Sequence, residues 1–198
     1  MKLKRILSLA LSGVLAVSML TACGGGSIDS IFRPGDKSAA FADALNDAQT
    51  MLEYDSNDGK LKTAIADVVR SVSKDDVVDG IDQSDISAAV RVKTGYEDLW
   101  LGGPWNAVTE STHSVKVFIY DASTNTMSEV ANDVAKKLSV MKLDEDAAKA
   151  NATHTNSYEG DVAARAVTIP AANSGEKDTE AWVVAVAIEQ TATKKSST

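Results

Sequence analysis

Two indoles on a glycine- and proline-rich loop are the most unusual chemistry in this chain. Trp100-Leu101-Gly102-Gly103-Pro104-Trp105 follows Tyr96, and five of the ten aromatic residues lie between Tyr96 and Tyr120. Aromatic side chains on loops stack on the faces of sugars or anchor a protein partner. The same loop could instead fold its tryptophans onto the core beside a sheet, and that is the first expectation here. As a binding surface, Tyr96, Trp100 and Trp105 are the candidates.

Other chemistries fit less well. Asp55-Ser56-Asn57-Asp58-Gly59 has the oxygen-rich look of a calcium loop. Such a loop needs ligands at positions 1, 3, 5 and 12 and glycine at 6. Counted from Asp55, positions 5, 6 and 12 are Gly59, Lys60 and Ala66. The stretch 75–85 has Val77 at its third position. No metal site is expected, and His113 and His154 are expected at the surface, in no ligand spacing. No Gly-x-Ser-x-Gly elbow occurs. Ser71-Val72-Ser73-Lys74 has the letters of a Ser-x-x-Lys nucleophile but falls at a helix end. Gly102-Gly103-Pro104 lacks a following Gly-Lys-Ser/Thr, so it is no phosphate cradle. No catalytic residue and no cofactor is assigned. A carboxylate pair for acid/base work is a spatial property, and among 28 acids chance pairs are plentiful.

The single cysteine has a different setting. Lys2, Lys4 and Arg5 precede a 15-residue uncharged apolar run, Ile6 to Leu20. That run is short for a membrane span, which needs about 20 residues, and has the form of a secretory signal. It ends in Leu20-Thr21-Ala22-Cys23, which resembles the lipobox of bacterial lipoproteins. The resemblance covers this segment only. It implies cleavage before Cys23 and diacylglycerol on its sulfur, and thus an extracytoplasmic protein anchored to the cell membrane. A plain signal peptide with a chance cysteine is the competing reading. Gly24-Gly25-Gly26-Ser27 has the composition of a flexible tether. Gly24 in place of aspartate, with that tether, looks like surface lipoproteins of Gram-positive bacteria.

The elements behind the tether must position the aromatic loop. Residues 28–36 read as linker. Phe41, Ala44, Leu45, Ala48 and Leu52 share one helical face, as do Leu61, Ile65, Val68, Val69 and Val72. Asp58 is placed to cap the second stretch, and the two read as a helical hairpin over 37–80. A turn is expected at Asp79-Gly80. Ile86, Ala88, Val90 and Val92 alternate with Ser87, Ala89, Arg91 and Lys93, which predicts a strand. Tyr96 to Pro104 reads as loop, and Val115 to Tyr120 as strand. Thr126 and Glu129 form a capping box ahead of the stripe Met127, Val130, Val134, Leu138, Met141. A short helix is expected over 144–150. Val162 to Ile169 and Ala181 to Ile188 read as strands. The second is apolar on both faces and so belongs where both faces are covered. Its alanine face would let a helix sit close. Residues 192–198 read as a frayed polar tail.

These readings divide the chain into a cleaved signal over 1–22, an anchor and linker over 23–36, the hairpin, and an α+β domain over 81–191 that could form one unit with it. The order is α-α-β-β-α-β-β, with an antiparallel-rich sheet of about four strands and a packed helix. Composition agrees with a globular domain, being 44% hydrophobic and 24% charged. One cysteine excludes an intrachain disulfide and cysteine-built metal sites. The net charge of −8 disfavours nucleic acid as a partner. It becomes −11 once residues 1–22 and their three positive charges are removed. The expected partners are the membrane, through lipid on Cys23, and an unknown protein or glycan. The expected role is non-catalytic binding, sensing or envelope support. A small hydrolase of wall polymer or glycan is the alternative, and a solute-binding transport component is disfavoured by the short length.

Overall fold

The sheet is built around two long strands that cross nearly the whole domain. In the computed structural model, which describes residues 33–81 and 85–196, β6 (His154–Ile169) and β7 (Thr179–Lys194) pair antiparallel over their full 16 residues. β5 (Thr112–Asp121) pairs antiparallel with the other edge of β7. Four two-residue strands trim the edges. β1 (Gly35–Asp36) and β2 (Tyr54–Asp55) lie on β6, and β3 (Gly80–Ile81) and β4 (Glu97–Asp98) lie on β5. The order is β1-β6-β7-β5-β3, with β2 and β4 off that path, and the β2 and β4 pairings are parallel. The protein is thus an α+β fold with a mostly antiparallel seven-stranded sheet.

Helices cover both faces. α1 (Ser38–Ala48) and α4 (Met127–Leu138) bury Phe41, Leu45, Val130, Val134 and Leu138 against Phe118, Val162, Val184 and Val186. α2 (Gly59–Val68) and α3 (Asp85–Thr94) bury Leu61, Ile65, Ile86 and Val90 against Val115, Val117, Ala163, Val183 and Ala185. Even-numbered β7 residues feed one core and odd-numbered residues the other, as period-two side-chain alternation requires. β7 sits between β6 and β5 with both faces covered, and α2 packs over its alanine-rich face.

Several local expectations hold. The Asp58 carboxylate accepts from the Lys60 and Leu61 amides at 2.9 and 3.0 Å, capping α2. Thr126 and Glu129 close the capping box on α4. A four-residue α5 (Asp146–Lys149) lies within 144–150.

Others are corrected. The expected hairpin does not form, because α1 and α2 lie in different cores and β2 separates them along the sheet edge. An amphipathic stripe says that a face is buried but not against what. Residues 86–93 are helix rather than strand. Ile86, Val90 and Thr94 are buried at i, i+4, i+8, while Val92, which alternation would place beside them, is 84% exposed. Gly95 ends this helix with φ +67° and donates its amide to the Arg91 carbonyl, a left-handed cap that glycine adopts without strain. Gly80 belongs to β3, Gly35 and Asp36 belong to β1 rather than to a linker, and Glu97 and Asp98 form β4 inside the expected loop. The tail begins later than expected, since β7 runs to Lys194. The signal, Cys23 and Gly24–Ser27 lie outside the described residues.

Candidate functional site

The aromatic loop is held at both ends. Its entry is the buried Leu99, whose amide donates to the Val115 carbonyl of β5 at 3.0 Å. Its exit is Trp105, 9% exposed, whose Nε1–H donates to the Trp100 carbonyl at 3.1 Å. Trp105 also meets the Tyr158 ring edge-on at 6.1 Å. Between them, two glycines allow close approach. A β-carbon on Gly102 would overlap the Trp100 indole, and one on Gly103 would overlap the Val140 carbonyl. The Gly103–Pro104 peptide is cis. Trp100 itself stays 57% exposed.

A cleft of about 240 Å³ opens beside this loop, with both tryptophans in its wall. Thr112 and Ser114, two residues apart on β5, form part of its floor. Gln190 of β7 lies opposite Thr112 in register and completes it. Gln190 is 3% exposed. Its Nε2 reaches the Asn106 carbonyl (3.2 Å), Asn156 Oδ1 (2.6 Å) and the Tyr158 hydroxyl (2.9 Å). Among the described residues, no group partners Gln190 Oε1 or the Ser114 hydroxyl, although Ser114 is only 8% exposed. Neither atom is fully enclosed, since among the described residues only the Tyr54 hydroxyl is fully buried without a partner. Both residues line the cleft, so both groups can bond an occupant. Glu97 and Asp98 stand at the rim. Asp98 bridges Arg91 at 2.7 Å and Lys116 at 2.7 and 2.8 Å, so its charge is already balanced.

Tyr96 does not join the tryptophans. It packs against the α2/α3 core and stacks on His113 with ring centroids 5.0 Å apart. Its hydroxyl donates to Asp58 Oδ2 at 2.7 Å, and Lys60 Nζ lies 5.3 Å from its ring centroid. Burial, and then the Asp58 carboxylate, push its hydroxyl well above the usual tyrosine range, so it remains a donor. Tyr96 therefore ties the start of β4 to the capped end of α2. His113 faces Glu189 at 3.4 Å. Among the described residues, no group of three His, Cys, Asp or Glu could hold a metal ion.

The structure also shows a carboxylate pair. Parallel β2 and β6 set Asp55 opposite Asp161. Burial first, and then the Asp55 carboxylate beside it, push Asp161 up to about 7. The hydrogen bond with Asp161, and then the Asn57 amide, hold Asp55 below its ordinary value. Two adjacent carboxylates sharing one proton are a known acid/base arrangement. Here, however, Asp161 Oδ1 accepts from the Asp58 amide at 3.1 Å, and the pair pins the β2–α2 corner. It borders neither the Trp100 cleft nor a groove of about 450 Å³ between Met51, Leu52, Leu143 and Tyr158. In that groove the Tyr158 hydroxyl is already bonded to the Ala148 carbonyl.

Of the residues singled out from sequence, Trp100 and Trp105 meet at one cleft, Tyr96 serves elsewhere, and Cys23 lies outside the described residues. Gln190 and Ser114 were missed. Gln190 carried a signal nonetheless, as it continues the stripe Trp182, Val184, Val186, Ile188 and is the one polar residue on it. Compared with known proteins, the chain matches no family model, no curated protein and no solved structure.

Proposed function

We propose that this chain is a lipid-anchored, extracytoplasmic binding module without catalytic activity, which meets its partner through the Trp100 cleft. Lipid on Cys23 would hold it at the membrane, where two acyl chains give stable attachment. Gly24–Ser27 would space the domain from the bilayer. The observation that carries the binding role is the display of Trp100. A large apolar ring is kept 57% exposed on a loop whose flanks are buried and hydrogen-bonded. A contact residue fixed before binding loses little conformational freedom when the partner arrives.

The alternative, a small hydrolase, draws on the Asp55–Asp161 pair. Its support is weaker, because that pair is occupied in holding the β2–α2 corner and does not face the aromatic cleft. Two measurements test the proposal. Cys23→Ala should move the protein from the membrane fraction to the medium or leave it unprocessed, and retention equal to wild type would refute the anchor. Trp100→Ala should abolish partner binding while leaving the melting temperature within about 2 °C, as exposed substitutions change stability by about 0.5 kcal/mol or less.

A further inference from the structure

We infer that the Trp100 cleft seats one pyranose ring of a glycan, with the indole against the sugar's C–H face and the floor taking its hydroxyls. This rests on the binding-module reading above and names the ligand class for the same site.

The chemistry of the floor selects the ligand. Gln190 Oε1 can only accept a hydrogen bond, and its amide nitrogen is already engaged with Asn106, Asn156 and Tyr158. The Glu97 carboxylate at the rim accepts as well, while both Asp98 oxygens are taken by Arg91 and Lys116. Ser114 and Thr112 are hydroxyls that can donate or accept. The cleft therefore presents an excess of acceptors, and its occupant must bring several donors. A cationic ligand would also donate. Yet Arg91 and Lys116 already stand at Asp98, two positive charges against one, so a further ammonium beside Glu97 would meet like charge. An extended peptide brings roughly one donor and one acceptor per residue and would leave acceptors facing acceptors. A sugar brings a hydroxyl on nearly every ring carbon, together with an apolar face, and Trp100 supplies the matching aromatic surface. The size agrees. At about 240 Å³ the cleft is below the range of about 300–1,000 Å³ that encloses drug-sized ligands. One ring fits while the rest of the glycan runs out past the open side of Trp100.

Gln190 gives this inference its footing. Gln190 is 3% exposed and lines the cleft. Its amide nitrogen is fixed by three bonds and its oxygen has no protein partner among the described residues, which makes it a built feature rather than a surface accident. Ser114 is a second such feature on the neighbouring strand.

The test is isothermal titration of the full chain with gluco-, N-acetylgluco-, galacto-, manno- and xylo-tetraose, with reducing ends counted in the same samples. Wild-type protein should bind at least one of the five. Trp100→Ala should weaken that binding at least tenfold. Ser114→Ala, which breaks no hydrogen bond within the protein, should weaken it at least threefold with an unchanged melting temperature. Binding of none of the five overturns the glycan inference and leaves the anchored module with a protein partner. Binding untouched by both substitutions overturns it too, since the sugar would then sit elsewhere. Release of reducing ends overturns the non-catalytic reading and leaves sugar recognition standing.

Discussion

Replacing Asp161 by asparagine should stabilise the fold, and the gain should grow with pH. Asp161 faces Asp55 across parallel strands and accepts the Asp58 amide at 3.1 Å. Burial, and then Asp55, raise it to about 7, while Asp55 itself is held low, so the pair keeps one proton near neutrality. An acid whose pKa rises on folding holds its proton more tightly in the native state. Its contribution therefore turns against the fold as pH climbs from the ordinary carboxylate range near 4 to about 7. At about 1.4 kcal/mol per pKa unit the full displacement would correspond to about 4 kcal/mol. Asp161 is only half-buried and Asp55 is exposed, so water screens the pair; Asp55 also shifts the opposite way, which leaves about 1–2 kcal/mol. Asparagine keeps the oxygen that accepts the Asp58 amide and offers an N–H to Asp55 in place of a second negative charge. For a domain of this size that amounts to about 3–6 °C in melting temperature at pH 8, and almost nothing at pH 4. Circular-dichroism melts of both proteins from pH 4 to 8.5 measure the difference. A variant no more stable than wild type at pH 8, or equally stabilised at both ends, would refute this account of the pair.

Tyr54 and Gly160 give a linked set of outcomes. The Tyr54 hydroxyl is buried without a partner, so Tyr54→Phe should leave stability unchanged or raise it by about 1 kcal/mol in denaturant titration. The Tyr54 ring lies directly on Gly160, so Gly160→Ala should cost about 1–3 kcal/mol through overpacking. A double-mutant cycle with Tyr54→Ala should show coupling between them. The two tryptophans should separate cleanly. Trp105→Ala removes a buried anchor and should cost about 3–5 kcal/mol, whereas Trp100→Ala should cost no more than about 0.5 kcal/mol. Thr126→Ala should destabilise by about 1 kcal/mol, because it removes the oxygen that accepts the Glu129 amide at the start of α4.

Where the sequence was legible, local chemistry decided the structure. α4 could be read because its capping box and its apolar stripe agree. β7 could be read as central because both of its alternating sets are apolar. α3 was misread because Ile86, Ala88, Val90 and Val92 satisfy alternation, while the helical set Ile86, Val90, Thr94 includes a threonine. That threonine is buried because its hydroxyl returns to the Val90 carbonyl at 2.8 Å, a bond that the residue letter does not announce. The split of α1 and α2 between two cores was invisible for a different reason. It depends on β2 pairing with a strand more than a hundred positions later in the chain. The same distance in sequence hid the Asp55–Asp161 pair. At the cleft, the tryptophans announced themselves by type and by their glycine neighbours. Ser114 and Gln190 gained their meaning only when β5 and β7 came into register.

The most direct measurement for the central claim is an NMR map of amide and indole shifts as a bound tetraose is titrated into the protein. Shifts should concentrate on Leu99 to Trp105, the Trp100 and Trp105 indoles, Ser114 and the Gln190 side-chain amide, with the Asp55–Asp161 corner silent. Shifts centred on that corner, or on the groove beside Met51 and Leu52, with Trp100 unmoved, would contradict it.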